Sequence, residues 1–158
     1  MDILIIIYMS VNFEKGSFSG LELTPRKIPY MKYLLSKNDL VRTNELSENL
    51  GVEPSTVTKT LDELVDEGYV YREPYRGVRL TDIGVKYASF LVHRHQILEL
   101  VFGKYGISPK EICDEVSRIE PFVSKKSVDT ICASMGHPTI SQCPSGSYNR
   151  ILCPENLK

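Results

Sequence analysis

The sequence predicts a mainly α-helical chain in which a winged helix-turn-helix domain precedes a helical domain. Three patterns carry that prediction. Two short helical runs flank the tight turn "VEP" at 52–54. Two β-prone runs, "YVYRE" and "VRL", follow at once and are joined by "PYRG". From Ile83 to Phe102 apolar residues then recur at spacings of three and four. The expected divisions are an apolar N-terminal extension and link (1–20), the winged domain (21–81), a helical domain (82–136) and an irregular tail (137–158).

In chain order, "LTPRKIPYMKYLLSKND" offers Thr24 as a cap and Pro25 at a first helical position. Pro29 lacks a donor that a helix interior uses, so either the helix begins near Ile28 or its first turn is distorted. Tyr30, Met31, Leu34 and Leu35 form its apolar stripe. "RTNELSENLG" is a short helix capped by Thr43 or Asn44 and closed by Gly51. Pro54 opens the next helix, which runs to about Glu67 before Gly68. Two short helices across a turn of this length make a helix-turn-helix, and the hairpin after it makes the wing. A long helix follows from about residue 82 to 105. "SPKE" (108–111) has the form of a capping box opening a helix that ends near Glu120, before Pro121. "SKKSVDTICASMG" reads as one more helix.

Composition narrows the classes. The 158 residues, 42% hydrophobic and 25% charged with a net charge of −1, suit an ordinary soluble fold and give no global sign of a polyanionic partner. Cys113, Cys132, Cys143 and Cys153 form no C-x-x-C pair, which implies reduced thiols and a cytoplasmic setting. The apolar "MDILIIIYMSV" is short of the roughly 20 residues that span a bilayer, and Asp2 stands where a signal peptide carries lysines. It reads as a buried or swapped strand or an extension, with a membrane anchor as the alternative. No nucleophile–base pair, phosphate loop or paired carboxylates point to an enzyme.

The helix 54–67 changes character along its length. Val57, Leu61, Leu64 and Val65 share one side, and Ser55, Lys59, Asp62, Glu63 and Asp66 lie opposite, with Thr56 and Thr58 on the flanks. Hydroxyls and one cation occupy its start, and acids its end. That split suits a helix that enters a DNA major groove by its tip, where hydroxyls and Lys59 meet phosphates and base edges. Arg42, Arg72, Arg76 and Arg79 cluster beside it, and Arg26, Lys27, Lys32 and Lys37 line the first helix. Residues 39–79 nonetheless carry five cations against nine acids. Binding to a double-stranded operator is therefore expected to need two copies acting together.

The segments "PST-VTK", "YRG..LT..G" and "RH..LE", in register across 52–124, resemble the metal-dependent repressors of the diphtheria toxin repressor and manganese transport regulator type. The likeness runs from about Thr24 to Met135. It implies a winged DNA-binding domain followed by a helical dimerisation and metal-binding domain, and a homodimer that reads an operator. The family's base- and phosphate-contacting turn falls on Ser55, Thr56, Thr58 and Lys59, with Arg42, Arg72 and Arg76 as flanking contacts. The chain resembles the short, two-domain members.

The resemblance also locates a metal site, which this sequence alters. His95 stands at the family's histidine of the fourth helix, and Glu99 lies one turn later. Cys113 and Glu120 lie seven apart on one face of the next helix. Ser117 replaces a Glu or Cys, Pro121 replaces a His, and Arg26, Lys27 and Pro29 stand where acids or a methionine belong. A hard manganese site wants roughly six oxygen or nitrogen ligands, whereas His95, Glu99, Cys113 and Glu120 suit four-coordinate zinc or iron(II). Cys132, His137 and Cys143 are further contributors to consider. The readings left open are loss of metal or a change of signal, a modified metal site, and family-like manganese sensing. In place of an operator-binding regulator, the same chain also reads as a winged-helix interaction or metal-binding adaptor.

Overall fold

The computed structural model describes residues 18–141 together with Ile151 and Cys153; the apolar stretch 1–11 and Cys143 lie outside the described residues. The backbone gathers into two compact units, one of Thr24–Ser89 and one of Phe18–Leu23 with Phe90 onward. As expected, the described chain is mainly α-helical with one small sheet.

In the first unit, a 3-10 turn Pro25–Lys27 leads into α1 (Ile28–Lys37). Pro29 thus occupies the first turn of α1, where its missing N–H is one the helix leaves unbonded anyway. Met31 and Leu34 are buried, and Asn38 ends the helix in the left-handed conformation. Helix α2 spans Thr43–Leu50 and closes on Gly51. Its cap position is held by Arg42 with no side-chain hydrogen bond, rather than by Thr43 or Asn44. The Ser47 hydroxyl donates to the Val52 carbonyl at 2.6 Å and pins the turn into α3 (Pro54–Asp66). Val57, Leu61 and Leu64 of α3 are fully buried, as the periodicity required. Thr60 is buried with them, its hydroxyl donating to the Thr56 carbonyl.

Strands β1 (Val70–Glu73) and β2 (Gly77–Leu80) form the antiparallel wing, with Val70 opposite Leu80. Val41, just before α2, exchanges both backbone hydrogen bonds with Val78 at 2.9 Å and ties the wing to the helical part. That exchange requires Gly77, where a Cβ would lie 2.5 Å from the Val41 carbonyl oxygen. Gly84 is required more strictly still, because a Cβ there would lie 1.9 Å from the Tyr69 carbonyl oxygen. Two glycines of the "YRG..LT..G" pattern therefore have packing reasons.

Helix α4 (Asp82–Lys104) begins in this unit and runs on into the second. Between Phe90 and Glu99 it buries apolar and polar residues alike, among them His93, Arg94, Gln96 and Glu99. Buried polar groups are tolerated when they are hydrogen-bonded. Arg94 accordingly donates to the carbonyls of Gly20 and Val123, and its guanidinium stacks over Phe90. Helix α5 spans Ile112–Ile119, so the expected start at "SPKE" is displaced. Residues 108–111 instead form a turn in which the Ser108 carbonyl accepts from the N–H groups of Glu111 and Ile112. A second 3-10 turn (Glu120–Phe122) accommodates Pro121, and α6 (Lys125–Ser134) follows with Ser124 as a true cap, accepting from the Ser127 N–H. Among the described tail residues, Ser141, Ile151 and Cys153 are buried. No helix among the described residues is long and apolar enough to cross a membrane.

Candidate nucleic-acid interface and metal centre

In the first unit, Ser55, Thr56, Thr58 and Lys59 are all exposed on the N-terminal turns of α3. The Thr58 hydroxyl donates to the Pro54 carbonyl at 3.0 Å. Beside the start of α2 and the wing lies an open cleft of about 310 Å³, lined in part by Arg42, Arg72, Tyr75 and Arg76. All three arginines are exposed. Arg72 pairs with Asp62 at 2.5 Å, and Arg76 with Glu73 at 2.6 Å. Exposed pairs of this kind are worth about 0–1 kcal/mol, so a phosphate can replace the carboxylate at little cost.

The acids on the later turns of α3 do more than the sequence indicated. Glu63 is held by both Arg26 and Lys27, and Glu67 by Lys27 at 2.5 Å. The Arg26 guanidinium, with Lys27 beside it, draws the Glu63 carboxyl down to about 2. Lys27 is itself buried. Glu63 is thus not a free outer acid, since Arg26 and Lys27 reach it from the turn before α1. Lys37 is likewise engaged, by Glu45 at 3.0 Å.

In the second unit the structure brings together all four residues of the expected metal set. His95 Nε2 lies 3.0 Å from Glu99 Oε1, and His95 Nδ1 lies 2.9 Å from Glu120 Oε2. The Cys113 thiol donates to Glu99 Oε1 at 3.2 Å. Ligand atoms of His95, Glu99 and Cys113 all lie within 4.8 Å of one another. Glu99 is fully buried and Glu120 nearly so. The sequence missed one participant: the Ser141 hydroxyl donates to Glu99 Oε2 at 3.0 Å. A serine in a turn-rich tail carries no signal of such a role. Cys132 and His137 do not join this group but gather with His93 and Cys153.

A family model described as the iron dependent repressor N-terminal DNA binding domain matches residues 22–78. A second, the iron dependent repressor metal binding and dimerisation domain, matches residues 81–148. The chain belongs to the iron-dependent repressor family. It is 37% identical over 98 residues to the transcriptional regulator MntR of Lysinibacillus sphaericus, covering 62% of this chain and 70% of that protein. Among solved structures it is similar to a manganese-dependent transcriptional repressor in complex with manganese, with TM-score 0.63 and 30% identity, covering 73% of this chain and 55% of that one. It is also similar to ScaR with bound Zn2+, with TM-score 0.66 and 25% identity, covering 82% and 63%. This is a family of transcriptional repressors and not of enzymes.

Proposed function

We propose that this repressor acts as a homodimer on a double-stranded operator in the cytoplasm. Ser55, Thr56, Thr58 and Lys59 read the major groove, and Arg42, Arg72 and Arg76 hold phosphates. The observation that carries this reading is the exposed tip of α3 standing in the same unit as a cleft walled by three arginines. Phosphate contacts set register and base contacts set sequence, and the two groups divide along that line. The ion pairs of Glu63 and Glu67 with Arg26 and with buried Lys27 hold the acidic end of α3 to its own unit.

The sensor is a modified metal centre. Cys113 supplies a thiolate, Glu99 a carboxylate and His95 its Nε2, while Glu120 accepts from Nδ1–H and so fixes the ring's orientation. Glu120 is in this view an orienting residue rather than a ligand. A thiolate with one imidazole and one carboxylate favours iron(II) or zinc over manganese. A bound cation of this class would supply charge neutralisation for Glu99 and a fixed link between α4 and α5.

The test is a mobility shift on the DNA upstream of the gene, with chelator and then with each divalent metal. A shift that iron(II) or zinc restores and manganese does not is expected. A shift indifferent to chelator removes the sensor reading, and no shift under any condition favours a protein-interaction adaptor.

A further inference from the structure

The second unit contains another group of donors, built from residues that the sensor does not use. His93 on α4 is buried with no hydrogen-bond partner for its Nδ1. Cys132 near the end of α6 and Cys153 in the tail are both buried, and neither is in a disulfide. One ring nitrogen of His93 and the two sulfurs all lie within 4.8 Å of one another. His137 completes the set, its Nδ1 being 3.3 Å from the Cys153 sulfur and 3.6 Å from that of Cys132. The sulfurs are 3.3 Å apart, too far for a disulfide and closer than unrelated side chains need to be.

We infer that His93, Cys132, His137 and Cys153 form a second, structural metal site of Cys2His2 type, suited to zinc. Tetrahedral zinc at ordinary bond lengths holds sulfur about 3.8 Å from sulfur and about 3.6 Å from nitrogen. The His137 nitrogen stands within about 0.3 Å of the second value from both sulfurs, and the sulfurs stand about 0.5 Å closer than the first. On binding, each thiol loses its proton to solvent, and two thiolates then balance the dication. The completed site is neutral, so burial costs it little, whereas an unpartnered imidazole nitrogen at this depth is costly.

The local backbone is shaped for this. The His137 N–H donates to the Cys132 carbonyl at 3.0 Å, and His137 adopts a left-handed φ of 55° that returns its ring toward the end of α6. The Ile151 N–H donates to the Thr139 carbonyl, which brings Cys153 back to the same place. Metal at this site clamps the tail to α4 and α6. The clamped segment includes Ser141, whose hydroxyl touches Glu99 of the sensor. Four-ligand closure leaves no position for a substrate, so the role is structural.

The test uses the full chain, purified under reductant without added metal, with zinc measured by mass spectrometry and cobalt(II) as a spectroscopic probe. Wild type is expected to retain zinc in a form that Cys113→Ser and His95→Ala do not remove. Cys153→Ser and His93→Gln are expected to lose that equivalent. Cobalt(II) added to stripped wild type should give tetrahedral bands with charge transfer from two thiolates, a readout that does not depend on any variant folding. Octahedral cobalt, charge transfer that vanishes in Cys113→Ser alone, or a Cys132–Cys153 disulfide under reductant would each overturn the assignment.

Discussion

Replacing Lys59 by alanine tests the interface through salt dependence. Each chain offers four exposed cations in the proposed interface, Arg42, Lys59, Arg72 and Arg76. A symmetric pair therefore offers about eight, and with about 0.9 counterions released per phosphate contact, log K should fall against log salt with a slope of about −7. Over a rise from about 50 to 200 mM salt, that amounts to a loss of roughly 10⁴ in affinity. Lys59→Ala removes two contacts per dimer and should flatten the slope by about 2. Each charge-assisted contact is worth about 1.5 kcal/mol, so affinity at low salt should drop by roughly 10². Arg26→Ala removes the same formal charge from a residue outside the proposed interface, so the slope should stay as in wild type. The assay is fluorescence anisotropy on operator DNA across a salt series. A Lys59→Ala protein with the wild-type slope would refute the reasoning, as would an Arg26→Ala protein with a flattened one.

Three further outcomes are expected. Gly84→Ala places a Cβ 1.9 Å from the Tyr69 oxygen, far inside the 3.4 Å of ordinary contact. Alanine's helix preference returns about 1 kcal/mol, but moving backbone costs about 1–3 kcal/mol or more, so urea denaturation should show a lowered midpoint. Glu120→Gln keeps a hydrogen bond to His95 but loses the carboxylate, and metal affinity at the sensor should fall about 10–100-fold by competition titration. The Glu63 carboxyl is drawn from 4.5 to about 2 by Arg26 and Lys27. Because its folded value is depressed, its stabilising effect is complete above pH 4.5 and is lost as pH falls through 2. Wild type and Glu63→Gln should therefore differ in thermal stability at neutral pH and converge in acid.

Much of this was legible in the sequence where local rules decide. The buried face of α3, the wing and its turn, and the extent of α4 follow from periodicity and from proline and glycine placement. The four residues around His95 also came together, because spacings of four and seven keep helical residues on one face. What periodicity cannot supply is the partner across a gap. Glu63 looked like an outer acid because nothing local announces Lys27 and Arg26, which lie 36 and 37 positions earlier. The placement of Glu120 on Nδ1 depends on how the ring of His95 is turned, which helical spacing does not announce. "SPKE" satisfied a capping rule, yet a serine turn uses the same residue types with the same hydrogen-bonding reach.

His93 and His95 show how one helix serves two purposes. Two residues along an α-helix is a rotation of about 200°, so the two rings leave α4 on nearly opposite sides. His95 turns to Glu99 and Glu120, while His93 turns to Cys132 and Cys153. A helix so placed needs polar groups on both sides, as buried His93 and Glu99 supply. It also means that the two sites share a rigid element and, through His137 to Ser141, a short piece of chain. If metal at the Cys2His2 site positions the Ser141 hydroxyl on Glu99, its removal must weaken metal at the sensor. By linkage, filling the sensor must then tighten the second site by the same factor. Equal factors measured in both directions would establish the coupling, whereas a sensor affinity untouched by Cys153→Ser would show that the tail clamp and the sensor act independently.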